Sequence, residues 1–259
     1  MKHYIITTVL AFAAVVACAA GTKTMTCRGQ KSAIVMSYNI FHGEGMDGVT
    51  SYERIARIVT GCNADVVAVQ EVDSATERSN GAYVLGEIAR VAGMHCEFAR
   101  AIPYGGGAYG IGILSKEKPI SVKRVPLPGR EEARVLLVVE FANYYMGCMH
   151  LSLTPDDQMA SLPIIRKMAA TLDKPFLLAG DWNVEPSDAF ISEISKDAVL
   201  FNDTTLATWP ADKPNVMIDY ISAWRSTFTP RKVKASYFKV LPETVASDHR
   251  PVVAKVVWR

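Results

Sequence analysis

The chain has 259 residues, 49% of them hydrophobic and 21% charged, with a formal net charge of +2. That excludes a disordered polymer and is enough for one large domain or two small ones. The near-neutral balance excludes the strongly basic footprint of a dedicated nucleic-acid binder, although a local patch can hide inside it.

The N-terminus reads as an export signal. Lys2 and His3 make a short polar start, Tyr4 to Ala17 is almost wholly apolar, and the run ends in small residues. It is too short to span a bilayer comfortably. Val15-Val16-Ala17-Cys18 resembles a bacterial lipobox, in which the cysteine carries lipid; cleavage after Ala17-Cys18-Ala19 by the ordinary signal peptidase is the competing reading. Residues 1–18 are thus expected as a signal peptide, 19–32 as a tether, and 33–259 as one domain without linker or repeat. The protein is expected to be exported, either lipid-anchored to a bacterial membrane through Cys18 or secreted or periplasmic. Its five cysteines match no zinc spacing, and Cys148 reads as a small buried thiol.

Strand-like runs follow at Ala33–Tyr38, Asp65–Gln70, Glu97–Ile102, Gly110–Ser115, Ile120–Arg124, Arg134–Phe141, Tyr144–His150, Phe176–Gly180, Asp219–Trp224, Lys234–Phe238 and Val252–Trp258. Helical spacing of apolar residues marks Ser51–Cys62, Gly81–Ala92, Pro155–Leu172 and Ser187–Ser195. Thr50/Ser51 and Thr154 stand as caps, and Pro163 predicts a kink or a split. So many strands overfill one flat sheet, so two packed sheets with helices outside are expected.

Polar residues gather at the ends of these runs. Asn39 ends the first and Glu71 the second; His150 ends Tyr144–His150, and Asp219 starts its strand. After Phe176–Gly180 come Asp181 and Asn183, which period-2 geometry sends to one side while Trp182 points into the core. Ser247-Asp248-His249 sits just before the last strand. Glu71 and Asp248 suit a hard cation such as Mg²⁺, and Asn39 can add a neutral oxygen. Asp181 and Asn183 can position a water and a phosphoryl oxygen. His150 can donate to developing negative charge, and Asp219 can fix the tautomer of His249.

Taken in order, Tyr38-Asn39, Gln70-Glu71, Tyr109-Gly-Ile-Gly-Ile-Leu-Ser115, His150-Leu151, Gly180-Asp-Trp-Asn183, Asp219-Tyr220 and Ser247-Asp-His249 resemble the endonuclease/exonuclease/phosphatase superfamily across residues 33–259. The resemblance implies an α+β fold: a four-layer α/β sandwich of two mainly antiparallel sheets flanked by helices. It implies Mg²⁺- or Mn²⁺-dependent phosphoester hydrolysis, with Glu71 as principal metal ligand and Asn39 and Asp248 nearby. It makes His249, oriented by Asp219, the activator of water or stabiliser of the transition state. Asp181 and Asn183 align nucleophile and phosphate, His150 contacts a phosphate oxygen, and Arg134 is a further phosphate contact. Monomer is the family's usual state. Many bacterial relatives have Gly-Asn where this chain has Ile111-Gly112, which bears on substrate more than on activity.

The expected function is an exported phosphodiester hydrolase, with nucleic acid or a phospholipid head group as substrate. A sphingomyelinase and a sugar or inositol phosphatase are the alternatives within the superfamily, and a non-catalytic surface module is the one outside it. Tyr104, Gly105–Gly107 and Tyr109 read as a mobile aromatic loop able to stack on bases or touch lipid.

Overall fold

Alternation along each strand decides which side faces the sandwich interior. Val35, Ala68, Leu137 and Leu177 point to the space between two sheets, while their chain neighbours Met36, Val67, Leu136 and Leu178 point outward against helices. The computed structural model that shows this describes residues 30–228 and 232–259. The expected signal segment and Cys18 lie outside the described residues.

In chain order the elements are β1 (Lys31–Asn39), α1 (Tyr52–Gly61), β2 (Val66–Ser74), α2 (Val84–Ala92), β3 (His95–Tyr104), β4 (Gly107–Ser115), β5 (Ser121–Leu127) and β6 (Arg134–Glu140). There follow β7 (Tyr145–His150), α3 (Pro155–Ala169), β8 (Phe176–Asp181), α4 (Ala189–Asp197), β9 (Ala198–Leu200), β10 (Asp219–Trp224), β11 (Val233–Val240) and β12 (Val252–Trp258). One six-stranded sheet has the order β11-β12-β1-β2-β4-β3, the other β5-β6-β7-β8-β10-β9. Helices α1 and α2 cover the first through Ile55, Val59, Leu85 and Ile88. Helices α3 and α4 cover the second through Leu162, Ile165, Phe190 and Ile194. The expected four layers are present.

Each sheet is antiparallel except for one pair, β1 with β2 and β7 with β8. These two parallel pairs matter for function because all four strands end at the same rim of the sandwich. The antiparallel strands β6, β10 and β12 begin there. That rim therefore collects Asn39, Glu71, His150 and Asp181 from strand ends, and Arg134, Asp219 and His249 from strand starts.

Gly180 secures one of these ends. A Cβ at this position would stand 1.9 Å from the Met149 carbonyl oxygen of β7, so only glycine lets β8 run this close. Trp182 turns inward as expected, fully buried and stacked on Tyr220 at 4.6 Å between ring centroids.

Three sequence expectations are corrected. Helix α3 does not split at Pro163 but runs through it as one 15-residue helix. Pro163 lies on its exposed side, where the carbonyl that lost its donor can meet water. Ser51 caps α1 by accepting from Arg54 N at 3.2 Å, but the Thr154 hydroxyl donates to Glu131 instead of capping α3. The segment read as an aromatic loop is the tip of the β3–β4 hairpin, paired out to Tyr104 and Gly107. Arg78, held on Asp73 by two bonds of 2.7 and 2.8 Å, lies 4.5 Å from the Tyr104 ring centre.

Candidate active site

Glu71 owes its position to a break in the β2–β4 register between Val69 and Val72, where its φ is +58°. A non-glycine residue in the left-handed region costs about 1–3 kcal/mol and turns the side chain out of the normal alternation. Gln70 below it is buried on Ser37 and Cys148, so Glu71 is the residue that reaches the cleft.

Asn39 is fully buried between two carboxylates. Its Nδ2 donates to Glu71 Oε1 at 2.9 Å and to Asp181 Oδ2 at 3.0 Å, while Oδ1 accepts from Phe41 N at 3.1 Å. The amide thus presents its NH₂ group to the acids. To offer its oxygen to a cation it would have to turn over and release Phe41.

His249 and Asp219 form a buried pair, Nδ1 to Oδ2 at 2.9 Å. That bond places a hydrogen on Nδ1 and aims Nε2 at Asp181 Oδ2, 3.6 Å away. His150 Nε2 approaches the same oxygen from β7, also at 3.6 Å. The other Asp181 oxygen accepts from Asn183 N at 3.0 Å, a turn in which Asn183 has φ +52°. One Nδ2 hydrogen of Asn183 goes to Leu151 O at 2.9 Å. This is an Asx turn, and it fixes Asp181.

The electrostatics follow from burial and crowding. Burial opposes charge on His249, but Asp219, Asp181 and Asp248 outweigh it and hold the imidazole up at about 10. Burial pushes the Asp181 carboxyl up, to about 7, against the pull of protonated His249. Burial, then the positive charges of Arg134 and His249, hold His150 well below its ordinary value, so it is neutral.

Asp248 is partly exposed, and its Oδ2 accepts from Trp209 Nε1 at 3.3 Å. Ser247 Oγ ties this loop to β1 by donating to Asn39 O at 2.7 Å. Arg134 is 7% exposed and already faces two acids, Glu132 at 3.2 Å and Glu131 at 3.4 Å. It is a wall of the cleft.

The cleft encloses about 540 Å³ and adds Tyr109, Leu153, Trp209 and Ile218 to the polar group. The sequence-predicted residues Glu71, Asp248, Asp181, Asn183, His150, His249 and Arg134 all line it, with Asn39 and Asp219 directly beneath. Trp209 and Glu132 were missed. Trp209 lies in a long segment without periodicity; an aromatic beside Pro210 among polar residues was its only signal. A more apolar hollow between β5 and α3, about 490 Å³, carries no comparable group and lies away from the rim.

The profile of the Endonuclease/Exonuclease/phosphatase family matches residues 36–249. The chain belongs to the endonuclease/exonuclease/phosphatase family. Solved structures agree in fold. An endonuclease/exonuclease/phosphatase of Beutenbergia cavernae superposes with a TM-score of 0.69 at 20% identity, covering 88% of this chain and 72% of that one. The mannosyl-6-phosphatase Bt3783 of Bacteroides thetaiotaomicron gives 0.69 at 15% identity, over 86% and 99%. Truncated TDP2 of Caenorhabditis elegans gives 0.63 at 18%, over 87% and 97%. No curated protein sequence matches the chain. The family is hydrolytic, and the residues present suit a hydrolase of this kind.

They also suit the divalent cation on which this family generally depends. Asp181, Asp219 and His249 offer ligand atoms within 4.8 Å of one another. The Asp219–His249 hydrogen bond, however, occupies that group with a proton. Glu71 and Asp248 are hard oxygen donors that face the cleft and leave room for water, the set that Mg²⁺ prefers. Among the described residues no hydrogen bond reaches Glu71 Oε2.

Proposed function

We propose that this protein is an exported, Mg²⁺-dependent hydrolase of phosphodiesters, with nucleic acid as the first substrate class to test. The observation that carries this reading is the position of Asp181. Its Oδ2 receives the Asn39 amide that also holds Glu71, and lies 3.6 Å from both cleft histidines. A carboxylate there can take a proton from water within reach of groups that stabilise a phosphoryl oxygen.

Glu71 and Asp248 would hold the cation, and Mn²⁺ would serve in the same place; bound there, it supplies positive charge to the phosphoryl oxygens. The chain's own residues do the rest. Asp181, its carboxyl pushed up to about 7 by burial, accepts the proton of the attacking water. The water oxygen bonds to phosphorus as the P–O bond to the leaving alkoxide breaks. Asp219 holds the Nδ1 hydrogen of His249, which stays protonated and directs Nε2–H at the negative charge developing on oxygen. Neutral His150 donates to a non-bridging oxygen, and Asn183 fixes the loop carrying Asp181.

A diester is favoured over a monoester by the state of Arg134. Among the described residues Arg134 is the arginine that lines the cleft, and its two carboxylate neighbours compete with a second phosphate charge. Exposed Trp209 and Tyr104 are surfaces on which a base can stack. Parallel assays with bis(p-nitrophenyl) phosphate and p-nitrophenyl phosphate in Mg²⁺ test the preference. Faster turnover of the diester is expected, and faster turnover of the monoester contradicts the reading. Export rests on Lys2 to Ala19, and lipid modification of Cys18 is read by mass spectrometry of the mature protein.

A further inference from the structure

The end of the sandwich opposite the cleft carries a cationic corner, in which Lys31 donates to Asn143 Oδ1 but no acid pairs with it among the described residues. Strand β1 starts there at Lys31 and reaches the cleft at Asn39, eight residues and roughly 26 Å later at 3.3 Å per residue. Register puts Trp258 beside both Lys31 and Val233, Val257 beside Lys234, and Lys255 beside Ile34 and Tyr237. Lys31, Lys232, Lys234, Lys255 and Arg259 therefore share the first few residue levels of the sheet. Lys232, Lys234 and Arg259 border a hollow of about 410 Å³ together with Gln30. Among the described residues none of the five is in an ion pair, and Asp65 at the level of Ile34 is taken by Lys116.

Two features select the occupant. The face of β11 and β12 turned away from the sandwich interior bears Lys234 and Lys255, while Val233, Ala235, Ala254 and Val256 turn inward. The same corner is where the polypeptide leaves toward its N-terminal segment, with the apolar run Tyr4–Ala17 only a short tether away. A cationic corner at the root of an apolar anchor meets an anionic phospholipid surface.

We infer that this corner is a docking face for anionic phospholipid head groups, which seats the protein on the membrane with its cleft turned to solvent. The inference rests on the membrane-tethered reading above and narrows its substrate class. A cleft at the far end of β1 takes soluble phosphodiesters, not the lipids of the bilayer that holds the protein.

The test uses the full chain on vesicles of phosphatidylcholine alone and of phosphatidylcholine with about a quarter phosphatidylglycerol. Binding is read by co-sedimentation at low and high salt. The wild type is expected to prefer the anionic vesicles by about tenfold or more, with the preference lost at high salt. Lys232→Glu/Lys234→Glu/Lys255→Glu, and the milder Gln triple variant, should lose the preference while hydrolysing a soluble diester at the wild-type rate. Vesicle-bound wild type should cleave the soluble diester and leave bilayer phospholipid intact. Equal preference in wild type and variants overturns the inference, as does cleavage of the supporting bilayer. Retention of duplex DNA by these lysines without vesicle preference also overturns it. Absence of diester turnover in free wild-type protein sinks the proposed function instead and leaves the vesicle result standing.

Discussion

Asn39 and Asp181 belong to different sheets, stand 142 residues apart in the chain, and meet at 3.0 Å across the rim of the sandwich. The contact joins the closing of the fold to the making of the site. Asn39 supplies one hydrogen to each of two acids, buried Asp181 and half-buried Glu71. Asn39→Ala should lower kcat/KM for a diester by about 10²-fold and cost about 1–3 kcal/mol of stability. Steady-state kinetics and urea unfolding check both. Loss of stability with full activity would mean that Asn39 serves the fold alone.

The Asp219–His249 pair sets the expected pH profile. Asp181 must be deprotonated and His249 protonated, so activity should rise through about pH 7 and fall through about pH 10. Asp219→Asn removes the main partner holding His249 up, so the alkaline limb should move to lower pH. It also removes a charge that raises Asp181, so the acid limb should move down as well. The rate at the optimum should fall by about 10²–10⁴-fold. A pH–rate profile of kcat/KM reads all three effects.

Glu131, one of the two acids on Arg134, gives a stability prediction. Partial burial opposes its ionisation, but Ser152 Oγ at 2.8 Å, its own amide, Leu153 N at 2.7 Å and Arg134 hold the carboxyl down at about 2. Its folded pKa is below the ordinary carboxylate value. The stability it adds is therefore present above about pH 4.5 and lost as pH falls toward 2. Glu131→Gln should lower the urea midpoint at pH 6 and leave it nearly unchanged at pH 2.

Gly180→Ala should be among the most damaging single changes in the chain. The added carbon meets the Met149 carbonyl, which belongs to the β7–β8 ladder and cannot yield without moving His150 or Asp181. A cost of about 3 kcal/mol or more is expected in urea unfolding.

Trp209 should act through Asp248. Its indole donates to Asp248 Oδ2 at 3.3 Å, so Trp209→Phe keeps the ring and removes the bond. The Mg²⁺ concentration for half-maximal activity should rise several-fold, about 1 kcal/mol, with kcat at saturating Mg²⁺ little changed. A metal titration followed by rate separates this from a stacking role, which would raise KM for a nucleic acid and leave the metal dependence alone.

Much of the site was legible because the functional side chains stand at strand ends, and apolar runs such as Phe176–Leu178 mark those ends plainly. Period 2 then sorted Trp182 from Asp181 and Asn183. The sandwich followed from having more strands than one sheet holds. What escaped was set by contacts between distant segments. β9 is three residues long, too short for any alternation, and exists because it pairs with β10. Trp209 lies in the unpatterned stretch before Asp219, and its meaning comes from Asp248, which is 39 residues away in the chain. The Asn39 amide was read as an oxygen donor, because sequence shows the residue type but not which end Phe41 captures. Pro163 interrupts no helix because its position on α3 faces solvent, a fact of packing and not of local propensity.

The central claim is tested most directly by nicking of supercoiled plasmid in Mg²⁺ or Mn²⁺, with equally pure His249→Ala and Glu71→Ala variants beside the wild type. Nicking by the wild type, abolished by chelation and reduced by at least about 10³-fold in both variants, is the expected result. Undiminished nicking by either variant, or full activity in chelator, would contradict the assignment of this cleft as a metal-dependent phosphodiesterase.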